Sequence, residues 1–298
     1  MNEPDIKKIL IPTDFSPASL GVINAATALA KHNFAEITLL HVMDSVSASA
    51  PPFYMTVPGG AEYENNLREE SNQQLELLAT SIRNNGVNKV NVLSVPGNIY
   101  TEIGNVSKEI KADLIIMGTH GVSGYKEVFM GSNAQRVVTL SEIPVLTMQT
   151  GAKYEFKNIL IPIDNSQHSN DKVAIAIKFA EIFASKIHIL GLLPTEEREE
   201  NVKFKIKLDA IVQAIHTANL AFVKTLENGE DLTEVALAYA DKNNCDLIVI
   251  NTGHESQTSG IFMGALAQRI VNHSKIPVLS VIPAEEAYII TTPGFGIS

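Results

Sequence analysis

The chain repeats itself, and the repeat limits its possible folds more than any other feature. Lys7-Lys8-Ile9-Leu10-Ile11-Pro12-Thr13-Asp14-Phe15-Ser16 reads against Lys157-Asn158-Ile159-Leu160-Ile161-Pro162-Ile163-Asp164-Asn165-Ser166, at an offset of 150. Asp113-Leu114-Ile115-Ile116-Met117 matches Asp246-Leu247-Ile248-Val249-Ile250 at an offset of 133, and Phe129-Met130-Gly131, Ala134-Gln135-Arg136 and Ile143-Pro144-Val145-Leu146 recur at that same offset. The second copy is therefore 17 residues shorter, and the Pro/Gly/Ser-rich stretch 45–60, without a similar counterpart after Gly191, is the expected place of the loss. Self-similarity of this kind marks a duplicated structural unit. It predicts two domains, 1–150 and 154–283, and a tail at 284–298.

Within each copy, short apolar runs alternate with segments of helical period, the pattern of βαβ units and a parallel sheet. The first copy predicts strands at about 6–13, 36–42, 89–95, 113–118 and 144–148, with boundaries uncertain by ~2–4 residues. Runs such as Leu114-Ile115-Ile116 have no polar alternation, so both faces of the sheet should be covered. Val22, Ala25, Ala26 and Leu29 share one helical face, as do Ile99, Ile103, Val106 and Ile110, and in the second copy Leu232, Val235, Ala236 and Tyr239. Ser16 followed by Pro17 reads as an N-cap and a first-turn proline. The fold class is α/β: two tandem open five-stranded parallel sheets with helices on both faces, Rossmann-like. Ligands of such sheets bind beside the carboxyl ends of the strands where the strand order reverses, so the residues after strands one and four are the first candidates.

Composition excludes several functions. Net charge is −10, shared equally by the halves, and no basic stripe exists to neutralise a nucleic-acid backbone. No apolar run approaches the roughly 18 residues needed to cross a bilayer. The opening MNEPDIKKIL lacks the apolar core of a secretion signal, so a soluble cytoplasmic protein is expected. Cys245 is alone and reads as a free thiol at the edge of a core strand. The eight histidines form no His-x-x-x-His or Cys/His cluster with metal-ligand spacing. His254 and His168 read as surface residues.

After strand four the sequence runs Gly118-Thr119-His120-Gly121, nine further residues, then Gly131-Ser132 and a helix from Asn133. Glycines at 118 and 121 can adopt φ > 0 and let phosphate oxygens approach the main chain. Gly131-Ser132 opens a helix, whose free N–H groups and positive dipole end favour an anion. The alternative is that these are ordinary turn glycines. Asp14 has two readings as well, a ligand contact and a helix-capping carboxylate. His120 is either a phosphate contact or an exposed loop residue. No Gly-x4-Gly-Lys-Ser/Thr and no Gly-x-Ser-x-Gly is present, which argues against P-loop phosphoryl transfer and a hydrolase triad.

Gly-x2-Gly-x9-Gly-Ser after a buried strand, together with Pro12-Thr13-Asp14, resembles the nucleotide-binding pattern of the universal stress protein family. The resemblance spans essentially the whole chain and implies an adenine nucleotide alpha hydrolase-like fold. It implies ATP as ligand, with Mg as a candidate companion. Pro12, Thr13 and Asp14 would line the nucleoside, and the main chain at Val42 would read the adenine edge. Met117, Gly118, Thr119, His120 and Gly121 would pass under ribose and phosphates, and Gly131, Ser132 and Asn133 would hold the phosphate tail. It also implies an intrachain pseudo-dimer through the last strands, 143–148 and 276–282, with homo-oligomers open. A nucleotide-dependent sensor is the expected function. A slow ATP-cleaving or ATP-transferring enzyme and a nucleotide-independent scaffold are the alternatives.

The second copy departs from the pattern. Asn251 stands at the position of Gly118, His254 at Gly121 and Ala265 at Ser132, leaving Gly264 in register. An empty or vestigial second site is expected, with Gly253, one place early, keeping a differently shaped ligand open. The 45–60 stretch exceeds ordinary connections and is either a lid over the nucleotide or a surface excursion.

Overall fold

The computed structural model describes residues 5–44, 60–119, 130–166, 171–193, 198–252 and 264–282. The first copy runs β1 (Lys8–Pro12), α1 (Pro17–Asn33), β2 (Glu36–Asp44), α2 (Gly60–Asn84), β3 (Val90–Gly97), α3 (Ile99–Glu109), β4 (Leu114–Gly118), α4 (Ser132–Leu140) and β5 (Val145–Met148). The second repeats it as β6 (Asn158–Ile163), α5 (Val173–Phe183), β7 (Lys186–Leu193), α6 (Arg198–Thr217), β8 (Phe222–Asn228), α7 (Leu232–Lys242), β9 (Leu247–Asn251), α8 (Ala265–His273) and β10 (Val278–Val281).

Each copy forms the expected five-stranded parallel sheet, but the two do not stand apart. They join edge to edge into one ten-stranded sheet of order β3-β2-β1-β4-β5-β10-β9-β6-β7-β8. The seam is the only antiparallel pairing among the described strands, with Val278 opposite Thr147, Leu279 opposite Leu146 and Ser280 opposite Val145. Leu146 and Leu279 are both fully buried there. Thr147 Oγ1 donates across the seam to the Val278 carbonyl at 3.2 Å. Two parallel edges that would each present unpaired main chain thereby satisfy one another.

Helices cover both faces, as continuous apolar strands require. On one face α1, α2, α5 and α6 enclose Ile9, Ile37, Leu114, Ile159 and Leu247. On the other α3, α4, α7 and α8 cover Leu10, Ile115, Leu160 and Ile248. The expected helix faces are the packed ones: Ile103, Val106, Ala236 and Tyr239 are buried, and Ile99, Ile110, Leu232 and Val235 pack around them. Each copy also uses the same carboxylate staple before its fourth strand. Asp113 accepts the main-chain N–H groups of Lys7 and Lys8, and Asp246 those of Lys157 and Asn158, all at 2.8 Å.

The shortening of the second copy is not confined to the 45–60 stretch. Fifteen residues separate β2 from α2 and four separate β7 from α6, but α2 itself spans 25 residues against 20 in α6. The 45–59 segment, His120, Gly121, His168, Gly253, His254 and the 284–298 tail lie outside the described residues, and with them the lid reading. Cys245 is buried, and desolvation with Asp246 beside it pushes its thiol up to about 12, so it stays protonated. Among the described residues no helix is long and apolar enough to cross a membrane.

Candidate functional site

The strand order of the first copy reverses between β1 and β4, whose carboxyl ends border one crevice. At the β1 wall, Pro12 is the last residue in register with β2, opposite Leu40. Thr13 is buried, and its N–H continues the ladder to the Leu40 carbonyl at 2.8 Å. Its hydroxyl lies 3.1 Å from the Ser19 hydroxyl and accepts the Phe15 N–H at 3.1 Å. Thr13 therefore shapes the wall through its side chain rather than reaching outward. Asp14 Oδ1 accepts the Ser16 N–H at 3.1 Å, and Asp164 does the same for Ser166 at 3.2 Å. The carboxylate thus closes a turn at this place in both copies, and the helix-capping role expected of Asp14 falls to Ser16.

That turn places Phe15 at φ 61°, a left-handed conformation that bulky residues seldom adopt. The Phe15 ring lies 4.7 Å from the His41 ring, and His41 Nδ1 is 2.8 Å from the Thr13 carbonyl. Neither contact was legible in the sequence, because both join residues 26 to 28 positions apart and carry no motif. His41 ties the carboxyl end of β2 to the β1 wall. One residue on, Val42 is half-buried and still paired with β3. Leu40 points its carbonyl at β1, so by the two-residue period of a strand Val42 turns the same main-chain edge into the space beyond Pro12.

The β4 wall shows a division of labour. Met117 is buried and gives its side chain to the core. Gly118 ends the strand, and its φ is not among the positive ones. A Cβ there would stand 3.0 Å from both the carbon and the oxygen of the Ala18 carbonyl and 3.3 Å from the Ser19 nitrogen. The bare position is needed so that the first turn of α1 can approach β4, which replaces the expected left-handed role. Gly118→Val should therefore lower stability by about 1–3 kcal/mol through overpacking, read as a lowered denaturation midpoint with or without nucleotide.

Thr119 is buried; its N–H donates to the Met148 carbonyl at 3.0 Å and its carbonyl accepts the Gly131 N–H at 2.8 Å. These bonds staple the start of α4 to the end of β4. The two helix starts at this crevice then differ. Ser16 caps α1, accepting the Ser19 N–H at 3.3 Å. At α4 the N-cap is Gly131, and among the described residues it brings no side-chain hydrogen bond. The first-turn N–H groups of Ser132 and Asn133 have no carbonyl one turn back to bond within the helix, and both residues are exposed. An uncapped helix start concentrates partial positive charge, the arrangement that suits a phosphate. His120 and Gly121 belong to the part of the loop outside the described residues.

A cleft of about 410 Å³ opens at the opposite, amino-terminal end of the strands, between Lys7, Lys8, Lys31, Phe34, Glu36 and Lys89. Glu36 pairs with Lys8 and Lys89, and Lys7 and Lys8 donate to the Asn33 and Ile110 carbonyls, so this cleft is largely self-satisfied. It is remote from the crevice.

Doubly wound topology, duplication and an uncapped helix start at the reversal of strand order define an α/β protein with a crevice of the nucleotide-binding kind. The sequence profile described as "Universal stress protein family" matches residues 5–149 and again 155–281, so the chain belongs to the universal stress protein family in tandem form. Universal stress protein MJ0577 of Methanocaldococcus jannaschii is 31% identical over 154 residues, covering 48% of this chain and 94% of that protein. Universal stress protein YxiE of Bacillus subtilis is 33% identical over 146 residues, covering 48% and 98%. The crystal structure of a universal stress protein from Archaeoglobus fulgidus superimposes with a TM-score of 0.75 at 21% identity, covering 92% of this chain and 98% of that one, and so shares the fold.

Proposed function

We propose that the chain is a cytoplasmic, ATP-binding regulator of the stress response, in which unit 1–150 holds one nucleotide and unit 154–283 does not. The observation that carries this reading is the uncapped start of α4, fastened by the Gly131 N–H to the end of β4 beside the reversal of strand order. Main-chain N–H groups of Ser132 and Asn133 face the phosphates, with Gly131 allowing close approach. Met117, Gly118 and Thr119 form the floor, Pro12, Thr13 and Asp14 the near wall, and Val42 offers main chain to the adenine edge. His120 and Gly121 complete the cradle in this reading. Mg²⁺ enters only as counter-ion of the triphosphate, since among the described residues no group of His, Cys, Asp or Glu could hold a metal.

In this reading the output is binding rather than turnover. In this reading the two copies, paired through β5 and β10, act as a pseudo-dimer within one polypeptide, and nucleotide occupancy is felt by a partner surface through that frame.

Two measurements test the reading. Denaturing the protein as isolated should release close to one adenine nucleotide per chain. Ser132→Pro should weaken ATP binding by about tenfold, the worth of one charge-assisted hydrogen bond. Proline suits the first helical position and the extended Gly131 before it (ψ 147°), so the thermal midpoint without nucleotide should stay put. Unchanged ATP affinity in this variant would remove the phosphate role of α4. Hydrolysis at about 1 s⁻¹ or faster would make the protein an enzyme instead.

A further inference from the structure

The duplication is an internal control, and it singles out one buried polar cluster that the fold does not require. His188 on β7 is only 4% exposed. Its Nδ1 lies 3.3 Å from the Tyr239 hydroxyl on α7, and that hydroxyl lies 3.1 Å from the Thr225 hydroxyl on β8. On the other side of the ring, Nε2 lies 3.3 Å from Asn158 Oδ1 on β6. The corresponding positions of the first copy hold Thr38, Val106, Leu93 and Lys8. Val106 is buried, Leu93 packs against the same core, and the Lys8 amine donates to the Ile110 carbonyl. The first copy thus fills this place with no group that titrates near neutral pH.

With Asn158 Oδ1 as acceptor, the neutral ring carries its proton on Nε2, and Nδ1 accepts the Tyr239 O–H, whose oxygen accepts from Thr225. The neutral cluster is then bonded throughout, from β6 through β7 and α7 to β8. A second proton, on Nδ1, turns the Tyr239 O–H away from the ring and sets a positive charge where water does not reach. The charges acting on the ring are Lys186, two residues earlier on β7, and Asp246, directly before β9. Tyr239 is the titratable group that α7 turns toward it, while β6 and β8 present the uncharged Asn158 and Thr225. Asp246 already engages the Lys157 and Asn158 N–H groups with its two oxygens. Burial first, and Lys186 second, hold the imidazole below its usual 6.5 against the pull of Asp246.

We propose that this cluster is an acid-sensitive latch, in which neutral His188 ties α7 to β7 and β8 and protonation of the ring releases the helix. β7 and β8 are the outermost strands of this half, so α7 loosens there while the seam stays closed. The Asp231 carboxylate at the start of α7 holds Arg269 of α8 at 2.5 Å, so release carries over to the neighbouring helix on this face. The sign follows from proton counting: a released imidazole takes its proton near 6.5, and the latched one does so only at lower pH. The latch is therefore at full strength above about pH 6.5, and weakens by up to about tenfold per pH unit below it until the ring's own lower value is passed.

Hydrogen exchange of the full protein between about pH 5 and 7, with opening constants corrected for intrinsic rates, reads the latch, and the His188 Cε1–H signal reads its proton. The expected result is a His188 midpoint below 6.5 and an α7 opening constant that rises by up to about tenfold per pH unit below it, with α3 of the first copy changing less. His188→Gln offers an N–H to Asn158 and an oxygen to Tyr239 but takes no proton, so its α7 opening should lose that rise. Tyr239→Phe removes the hydroxyl that supports the neutral ring and should move the His188 midpoint upward. A parent midpoint at or above 6.5, a midpoint unmoved in Tyr239→Phe, or the same pH dependence of α7 in His188→Gln as in the parent each overturns the proposal. Should a variant not fold, the parent's own midpoint and α7 exchange still decide. No nucleotide enters the measurement, so the result is separate from whether the first copy holds ATP.

Discussion

Leu279→Ala is expected to destabilise the entire protein by about 2–5 kcal/mol, although the side chain belongs to a four-residue strand. Leu279 sits at the middle of the seam, opposite Leu146, and both are fully buried in a single core cluster that also contains Ile9 and Leu114 of the first copy and Ile159 and Leu247 of the second. Removing its branched end leaves a cavity that neither sheet can collapse into without breaking the β5–β10 ladder. The parent protein should therefore melt in one transition, and Leu279→Ala should lower that transition as a whole. Leu146→Ala adds a second loss at the same contact, so the double variant should depart from additivity by about 0.5–3 kcal/mol. Calorimetry of the four proteins checks this. Two resolved transitions in the parent, or strict additivity, would mean that the copies are stable separately and merely adjoin.

Much of this architecture is legible in the sequence because its causes are local. The runs 9–12 and Leu114–Gly118 are apolar without alternation, so each reads as a strand covered on both sides. Ser16-Pro17 marks the start of α1, and the Ser16 hydroxyl does accept a first-turn N–H. The recurring Ile-Pro-Val-Leu marks the last strand of each copy. The merging of two sheets into one is a different matter, because edge strands of one sequence pattern can pair, stay exposed or be covered. Gly118 shows the same limit at a single residue. A glycine after a buried strand admits a phosphate-facing turn, a close helix approach or both, and only the position of Ala18, 100 residues away, shows that the helix approach by itself already requires a bare position. Gly131 shows it again: Gly-Ser-Asn leaves Ser132 open as a capping hydroxyl, and only the fold starts the helix at Ser132 itself and leaves the N-cap to a residue without a side chain.

Lys172 is the residue the sequence conceals best. Asn-Asp-Lys-Val before a helix reads as a solvated start, yet the fold buries the lysine. Replacing it with methionine, of similar length and no charge, is expected to stabilise the protein at pH 7 by about 3 kcal/mol. That is the order of magnitude separating an ordinary lysine at 10.5 from one held near 8 by desolvation. The sign follows from proton counting. Between about pH 8 and 10.5 the unfolded state binds a proton at this residue that the folded state has released, so parent stability from this group rises with pH across that window. Below about pH 8 the folded protein carries the full cost of the buried charge, and above 10.5 it carries none. The advantage of Lys172→Met should thus be greatest at pH 7 and shrink steadily as the pH approaches 10.5, in denaturant melts of the two proteins at matched ionic strength. A Lys172→Met protein less stable than the parent at every pH would show that the amine already has an adequate partner, and that burying its charge costs this fold little.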